Sequence, residues 1–432
     1  MLGSEPRRRA ALPLAIYALS AAAYVATLGS RIRGISDNAH FVYLAQSLLH
    51  GKLSLLTAKP PGDNDWAIYH GHWYVSFPPF PAVVIAPLVA LFGTATWDRL
   101  FWALLAGLSP ALLYVLLRRL RELGQSGRSV REDLLLVALF AFGSPFYYTA
   151  VQGTVWFAAH VVACPLIALY LLWALDARRP LLAGGALALA FMTRPTTLLL
   201  GAFFLLETLR VTRSEGEPQP SMAGLLRVKG LDLRAAARKL VLFALPLVLV
   251  LGIAMWMNAA RFDDSFEFGH SYLNIRWRPR IDTWGLVNYH YLGRNLAVFL
   301  TALPWLSAHA PYLKLSRHGL ALWVTTPQLV LVLWPRRATL TMTALALSAG
   351  AVALLDLLYQ NSGWIQFGYR FSLDYAMALF ALLALGGRRF GKLFFALSLW
   401  ALAVNAFGAI TFDRDDRFYD GDTTQQVIFQ PD

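Results

Sequence analysis

The sequence predicts an all-α polytopic membrane protein of about eleven transmembrane helices, with the N-terminus cytoplasmic, the C-terminus extracytoplasmic, and juxtamembrane helices in two long outer loops. Three observations carry that prediction. The chain of 432 residues is 57% hydrophobic and only 15% charged, too apolar and too long for one soluble core, because soluble domains divide beyond roughly 250–300 residues. Its apolar residues fall in blocks close to the roughly 20 residues that cross a bilayer, such as Leu12 to Leu28, Leu134 to Ala150 and Lys239 to Met257. The formal net charge of +13 sits in short Lys/Arg clusters between those blocks. That is the pattern of cytoplasmic loops rather than of a nucleic-acid-binding stripe, so no nucleic acid is expected as a partner. The single cysteine, Cys164, lies within an apolar block, which leaves no internal disulfide and no thiolate metal cluster to build on.

Taken in order, Arg7, Arg8 and Arg9 precede a first block, 11–29, that is long and lacks a small-residue cleavage site, so it reads as a retained span. Outer loop one, 30–96, follows. Between the first basic cluster and the next, at Arg118, Arg119 and Arg121, the number of spans must be even. The Pro-rich stretch at 78–93, interrupted again at Pro87, is therefore read as an interfacial or re-entrant element, and 97–117 as the second span. Further spans are read at 134–150 and 155–175, then as a hairpin of 181–193 and 196–209 with Met192-Thr193-Arg194-Pro195-Thr196 at its outer tip. A linker rich in Glu, Pro and Gln at 214–221 leads to a span at 240–258, outer loop two at 259–318, and spans at 319–335, 339–358, 373–387 and 393–410. On this map the whole net charge falls on the inner side, and all nine histidines lie outside or at the outer edge of a span, which points to the outer face as the working side. Both outer loops are dense in Trp, Tyr, Phe and His and are expected to pack as a thin layer on a single domain covering 1–432.

Several residues in these loops are candidates for chemistry. Ser36-Asp37-Asn38-Ala39-His40 and the apolar positions after it read as an amphipathic helix that opens near Ser36 or Asp37 and stops at Gly51. Asp37 and His40 then share a face, and Asp37 is either a helix cap or a carboxylate placed at the bilayer surface to act as a general base. His70 and His72 would need a third ligand to hold a metal, and none is evident. The aromatic run from Trp66 to Tyr74 reads as an interfacial belt or a sugar-stacking wall. Arg194, at the tip of an apolar hairpin, breaks the positive-inside trend and demands a partner; a lipid phosphate suits a guanidinium at that depth, and Arg370 is a second candidate. The other outer arginines, among them Arg31 and Arg278, read as partners of outer acids such as Asp263 and Asp374.

The order of these motifs resembles the GT-C type of polyprenyl-phosphate-dependent glycosyltransferases, which includes the protein O-mannosyltransferases and the lipid A aminoarabinose transferases. The matching residues are Ser36-Asp37-Asn38, Leu48-Leu49-His50-Gly51, Phe77-Pro78-Pro79 running to Leu91-Phe92-Gly93, Arg99, and Met192-Thr193-Arg194-Pro195, with Gly363 to Arg370 and Asp374 farther on. The resemblance implies that Asp37 is the catalytic base and Arg194 a carrier-phosphate ligand, with His40, His72, His160, Tyr369 and Arg370 as substrate-binding residues. Many relatives have Asp-Glu or Asp-Asp where this chain has Asp37-Asn38, and His160 stands near where several carry another acid. No cofactor is firmly implied, and a divalent cation is left open. The expected activity is transfer of a sugar from a polyprenyl-phosphate donor to a lipid, glycan or protein acceptor, among membrane lipids on the extracytoplasmic side of a bacterial plasma membrane. The alternative from another class is a transporter or flippase of a lipid-linked substrate, which would show inverted repeats around a polar midplane site; the sequence shows no such repeat.

Overall fold

Apolar blocks without polar periodicity become helices, because in apolar surroundings the backbone must satisfy its own hydrogen bonds. The computed structural model describes residues 4–213, 222–225, 227 and 229–419; the linker read at 214–221 lies outside them. In chain order the helices are α1 (Ser4–Leu28), α2 (His40–Leu49), α3 (Phe80–Phe92), α4 (Asp98–Ala106), α5 (Leu108–Glu122), α6 (Val130–Phe142), α7 (Phe146–Ala150), α8 (Val155–Ala174) and α9 (Pro180–Phe191). They continue with α10 (Gly201–Val211), α11 (Met222–Leu225), α12 (Leu233–Phe262), α13 (Arg278–Trp284), α14 (Leu292–Thr301), α15 (Leu322–Thr325), α16 (Leu340–Leu357), α17 (Ala376–Leu385) and α18 (Lys392–Thr411). Strands β1 (Trp66–Tyr69) and β2 (His72–Val75) pair antiparallel across His70 and Gly71, which both take positive φ as a tight two-residue hairpin turn requires.

Six segments among the described residues are long and apolar enough to cross a membrane: Ala10–Ile32, Asp98–Glu122, Val155–Ala177, Leu233–Phe262, Leu340–Leu357 and Lys392–Thr411. They match six of the spans read from sequence. Among the described residues the other five blocks form shorter or broken helices. The 134–150 block is split into α6 and α7 at Gly143-Ser144-Pro145. The 181–193 and 196–209 hairpin is a twelve-residue α9 followed by a 3₁₀ turn, Pro195–Leu200, and α10. The 319–335 block is corrected most: it forms only the four-residue α15 and a 3₁₀ stretch, Pro327–Leu333, because Pro327 removes a donor and fixes its own φ. The 373–387 block yields the ten-residue α17, entered through a 3₁₀ turn at Arg370–Asp374.

α8 is the hub, packed against α4, α5, α7, α9 and α17 and buried along most of its length. α9 lies close enough to α12 that a β-carbon at Gly184 would meet the Phe243 carbonyl oxygen at 2.0 Å. At one end of the bundle the two long loops form a continuous layer. Asn274 donates its backbone N–H to Trp66 O at 2.9 Å, Ala67 bridges Leu273, and Leu315 N–H bonds Phe418 O at 2.8 Å. At the other end the basic connections meet: Arg121 pairs with Asp133, Lys239 reaches Ala177 O at 2.9 Å, and Arg336 N–H bonds Gly386 O at 2.8 Å.

Candidate functional site

Under the loop layer lies a cavity of about 400 Å³ whose walls include Asp37, Asn38, Asn64, Asp65, Trp156, Phe157, Trp277, Arg317, Asn361, Trp364 and Asp413. The turn that carries Asp37 is held on three sides. Ser36 donates its backbone N–H at 2.8 Å, and also its hydroxyl, to Asp98, the first residue of α4, whose carboxylate is fully buried. Asn38, in the left-handed region at φ 51, donates its N–H to Asp63 at 3.0 Å and accepts from Asn64 N–H on its side-chain oxygen at 2.8 Å; its carbonyl takes Val155 N–H at 3.1 Å. Because Ser36 and Asn38 are committed in this way, α2 begins only at His40. The expectation that Asp37 caps that helix and shares a face with His40 is corrected. Asp37 instead stands at the cavity mouth, 86% exposed, with Arg99 Nη2 at 3.6 Å. Arg99 is positioned by Gly153, where φ is +89 and a β-carbon would meet Arg99 Cγ at 2.5 Å.

The sequence-selected residues separate into three groups. His40 is a strut: it is fully buried, its ring nitrogens lie 3.0 and 2.8 Å from the carbonyls of Asn38 and Asn64, and its ring stacks on Trp66 at 3.9 Å. Burial pushes its pKa down to about 4 against the opposing pull of those carbonyls, so the neutral ring donates to one of them, and both ring nitrogens face backbone rather than the cavity. His72 is exposed on β2 and does not line the cavity. His70 occupies the hairpin turn rather than an extended strand. The second group is ionic. Arg194 gives Nε and Nη2 to Asp374 at 3.0 and 2.6 Å, Thr196 donates its hydroxyl to the same carboxylate at 2.8 Å, and His160 Nδ1 lies 3.1 Å from it. The Nε–Nη2 edge of the guanidinium, which the sequence offers to a lipid phosphate, faces Asp374 in this structure. In the third group, buried Arg370 donates to the carbonyls of Gly363 and, at 2.9 Å, Ile365. It shapes the loop whose Trp364 and Ile365 line the cavity. Tyr369 is fully buried, and its hydroxyl has no partner among the described residues.

Asp37 and Arg194 do not meet in one cavity. Phe157 lines the cavity, the Arg370 guanidinium lies 5.3 Å from its ring and 5.2 Å from Phe371, and Arg194 lies 5.2 Å from Phe371. Arg194 thus contacts the ring of Phe371 and is not part of the cavity lining. Sequence reasoning missed Asp65. It lines the cavity and accepts the Trp156 indole N–H at 2.8 Å across 91 residues of chain, a separation that leaves no local signal. It also missed the pairs Asp413 with Arg31 at 3.0 Å and Asp416 with Arg317 at 2.9 Å, which close the cavity from the segment after α18. Among the described residues no group of three or more His, Cys, Asp or Glu side chains could hold a metal ion.

Against solved structures, the fold is similar to that of ArnT from Cupriavidus metallidurans, a GT-C glycosyltransferase. The apo state aligns at TM-score 0.50 and 17% identity, over 94% of this chain and 64% of ArnT. The form bound to undecaprenyl phosphate aligns at TM-score 0.50 and 15% identity, over 90% and 63%. The apo oligosaccharyltransferase of Archaeoglobus fulgidus aligns at TM-score 0.48 and 12% identity, over 94% and 56%. The chain spans between 56% and 64% of the length of these proteins. No family model matches the sequence, and no curated protein matches it. At these identities the likeness speaks for the fold, and the fold is of the GT-C type that the motif order resembles.

Proposed function

From the GT-C type of fold, we propose that the protein is a membrane glycosyltransferase that moves a sugar from a polyprenyl-phosphate donor to a lipid, glycan or protein acceptor. We place this chemistry on the loop-layer side, as the extracytoplasmic face of a bacterial plasma membrane. The observation that carries the reading is the make-up of the cavity under that layer. Three indoles, Trp156, Trp277 and Trp364, stand with the carboxamides of Asn38, Asn64 and Asn361 and with carboxylates around a space of about 400 Å³. Aromatic faces stack on the C–H faces of a sugar, and amides and carboxylates bond its hydroxyls. In the transfer, an acceptor hydroxyl or amine attacks the anomeric carbon and the bond to the carrier phosphate breaks, leaving polyprenyl phosphate. Asp37, exposed at the mouth and steadied by Arg99, receives the hydrogen bond of the nucleophile, and an aspartate of this cavity acts as general base. Arg99 and Arg317 supply guanidiniums at this end of the bundle, each beside a carboxylate partner.

The test uses purified protein and radiolabelled sugars on undecaprenyl phosphate, offered with membrane lipids and glycans as acceptors. Label should move from the donor and undecaprenyl phosphate should be released, and Asp37→Asn should lower the rate by about a hundredfold or more without loss of the folded protein. Full turnover by the mutant removes Asp37 from the mechanism. A donor headgroup that crosses the bilayer with no phosphate released would favour a flippase.

A further inference from the structure

We infer that Asp65 is a second catalytic carboxylate, the one that receives the proton released in sugar transfer, while Asp37 aligns the nucleophile; this rests on the glycosyltransferase reading. Four carboxylates line the cavity, and three of them face a guanidinium: Asp37 has Arg99 at 3.6 Å, Asp413 has Arg31 at 3.0 Å, and Asp416 has Arg317 at 2.9 Å. Each of the three has a guanidinium partner to share its charge. Asp65 lines the same cavity and has no ion-pair partner among the described residues; its Oδ2 takes only the neutral N–H of Trp156 at 2.8 Å. The loop that carries it is bolted to the Asp37 turn through Asn38, which holds Asp63 at 3.0 Å and Asn64 at 2.8 Å, so the two carboxylates flank one asparagine. Asp65 itself takes a left-handed backbone, φ 62, just before β1, a conformation that aspartate tolerates better than most residues.

The surroundings suit a base. Burial raises the Asp65 pKa to about 6, opposed by the Trp156 hydrogen bond and then by Arg370, nearer to neutrality than an ordinary carboxylate and therefore better matched to proton transfer there. The charged and titratable groups that interact with it are Arg370 and Tyr359, with His40 against its backbone. Arg370 is committed to the carbonyls of Gly363 and Ile365. In the step, the acceptor O–H or N–H bond breaks and its proton passes to Asp65. The acceptor's electron pair forms the glycosidic bond, and the electrons of the old bond leave with the carrier phosphate.

The base must be ionised, so the rate should fall about tenfold per pH unit below about 6 and level off above. With the radiolabelled undecaprenyl-phosphate donor and intact protein, Asp65→Asn should lose about a hundredfold or more and the acid limb with it. Trp156→Phe removes the hydrogen bond that favours the anion, so it should move the acid limb to higher pH. It also serves as a second variant should Asp65→Asn fail to fold. Asp37→Asn should lower the plateau and leave the limb in place. Transfer by Asp65→Asn within a few-fold of wild type, or a limb that Trp156→Phe does not move, overturns the inference. A wild-type protein that transfers no sugar from any such donor overturns the glycosyltransferase reading instead.

Discussion

Arg194 makes one of the tightest ion pairs in the molecule, with its carboxylate partner fully buried and its own side chain 20% exposed. Removing either member leaves an uncompensated charge in low dielectric, whereas replacing both with apolar groups of similar volume removes the problem and its solution together. Arg194→Ala is therefore expected to destabilise the protein by about 3–5 kcal/mol, read as a lowered unfolding midpoint in detergent. Arg194→Met combined with Asp374→Leu should lose less than either single change. A phosphate ligand behaves differently: its loss would weaken carrier-lipid binding with stability unchanged, and that result would restore the role the sequence suggests. The arginine itself was legible in the sequence, since a cation at the tip of an apolar hairpin has to be paired. Asp374 stands out in the sequence as an outer acid, but its pairing with Arg194 was not legible, because the two lie 180 residues apart. A separation of 91 residues likewise hid the Trp156 partner of Asp65.

Among the elements, the legible ones are those whose apolar run is long and free of internal breaks. α12 and α18 stand where 240–258 and 393–410 predict them, while the 319–335 block has the composition of a span and the backbone of a turn, since hydropathy does not register the effect of Pro327. Packing between elements is less legible still, because it depends on where a small residue faces. In α9, Gly184 and Gly185 are adjacent and chemically identical. A β-carbon at 184 would meet the backbone of α12 at 2.0 Å, whereas one at 185 meets nothing within 4 Å. Gly184→Ala should force α9 from α12 at a cost of about 1–3 kcal/mol. Gly185→Ala should leave packing intact and gain up to about 1 kcal/mol from helix propensity. Unfolding midpoints of the two variants in the same detergent check this; an equal gain in both would mean that the two helices are not in contact at 184.

At the scale of the whole molecule, the bundle has two chemically different ends. One gathers Arg121, Arg128, Arg210, Lys239 and Arg336 on connections that mostly pair with nearby acids or backbone carbonyls. The other carries the aromatic loop layer and the cavity. Basic connections are retained on the cytoplasmic side during insertion while long loops are translocated largely regardless of charge, so the cavity is expected to open outward, toward acceptors of the cell envelope. Cys164 is fully buried and offers no background to thiol reagents, which makes the orientation measurable with single introduced cysteines. Tyr289→Cys, at a site 80% exposed in the loop layer, should react with a membrane-impermeant maleimide on intact cells. Arg131→Cys, exposed at the start of α6 on the basic end, should react only after the membrane is opened. The reverse pattern would turn the cavity toward the cytoplasm, where the lipid-linked donor would have to arrive from the other leaflet and the proposed acceptors would be out of reach.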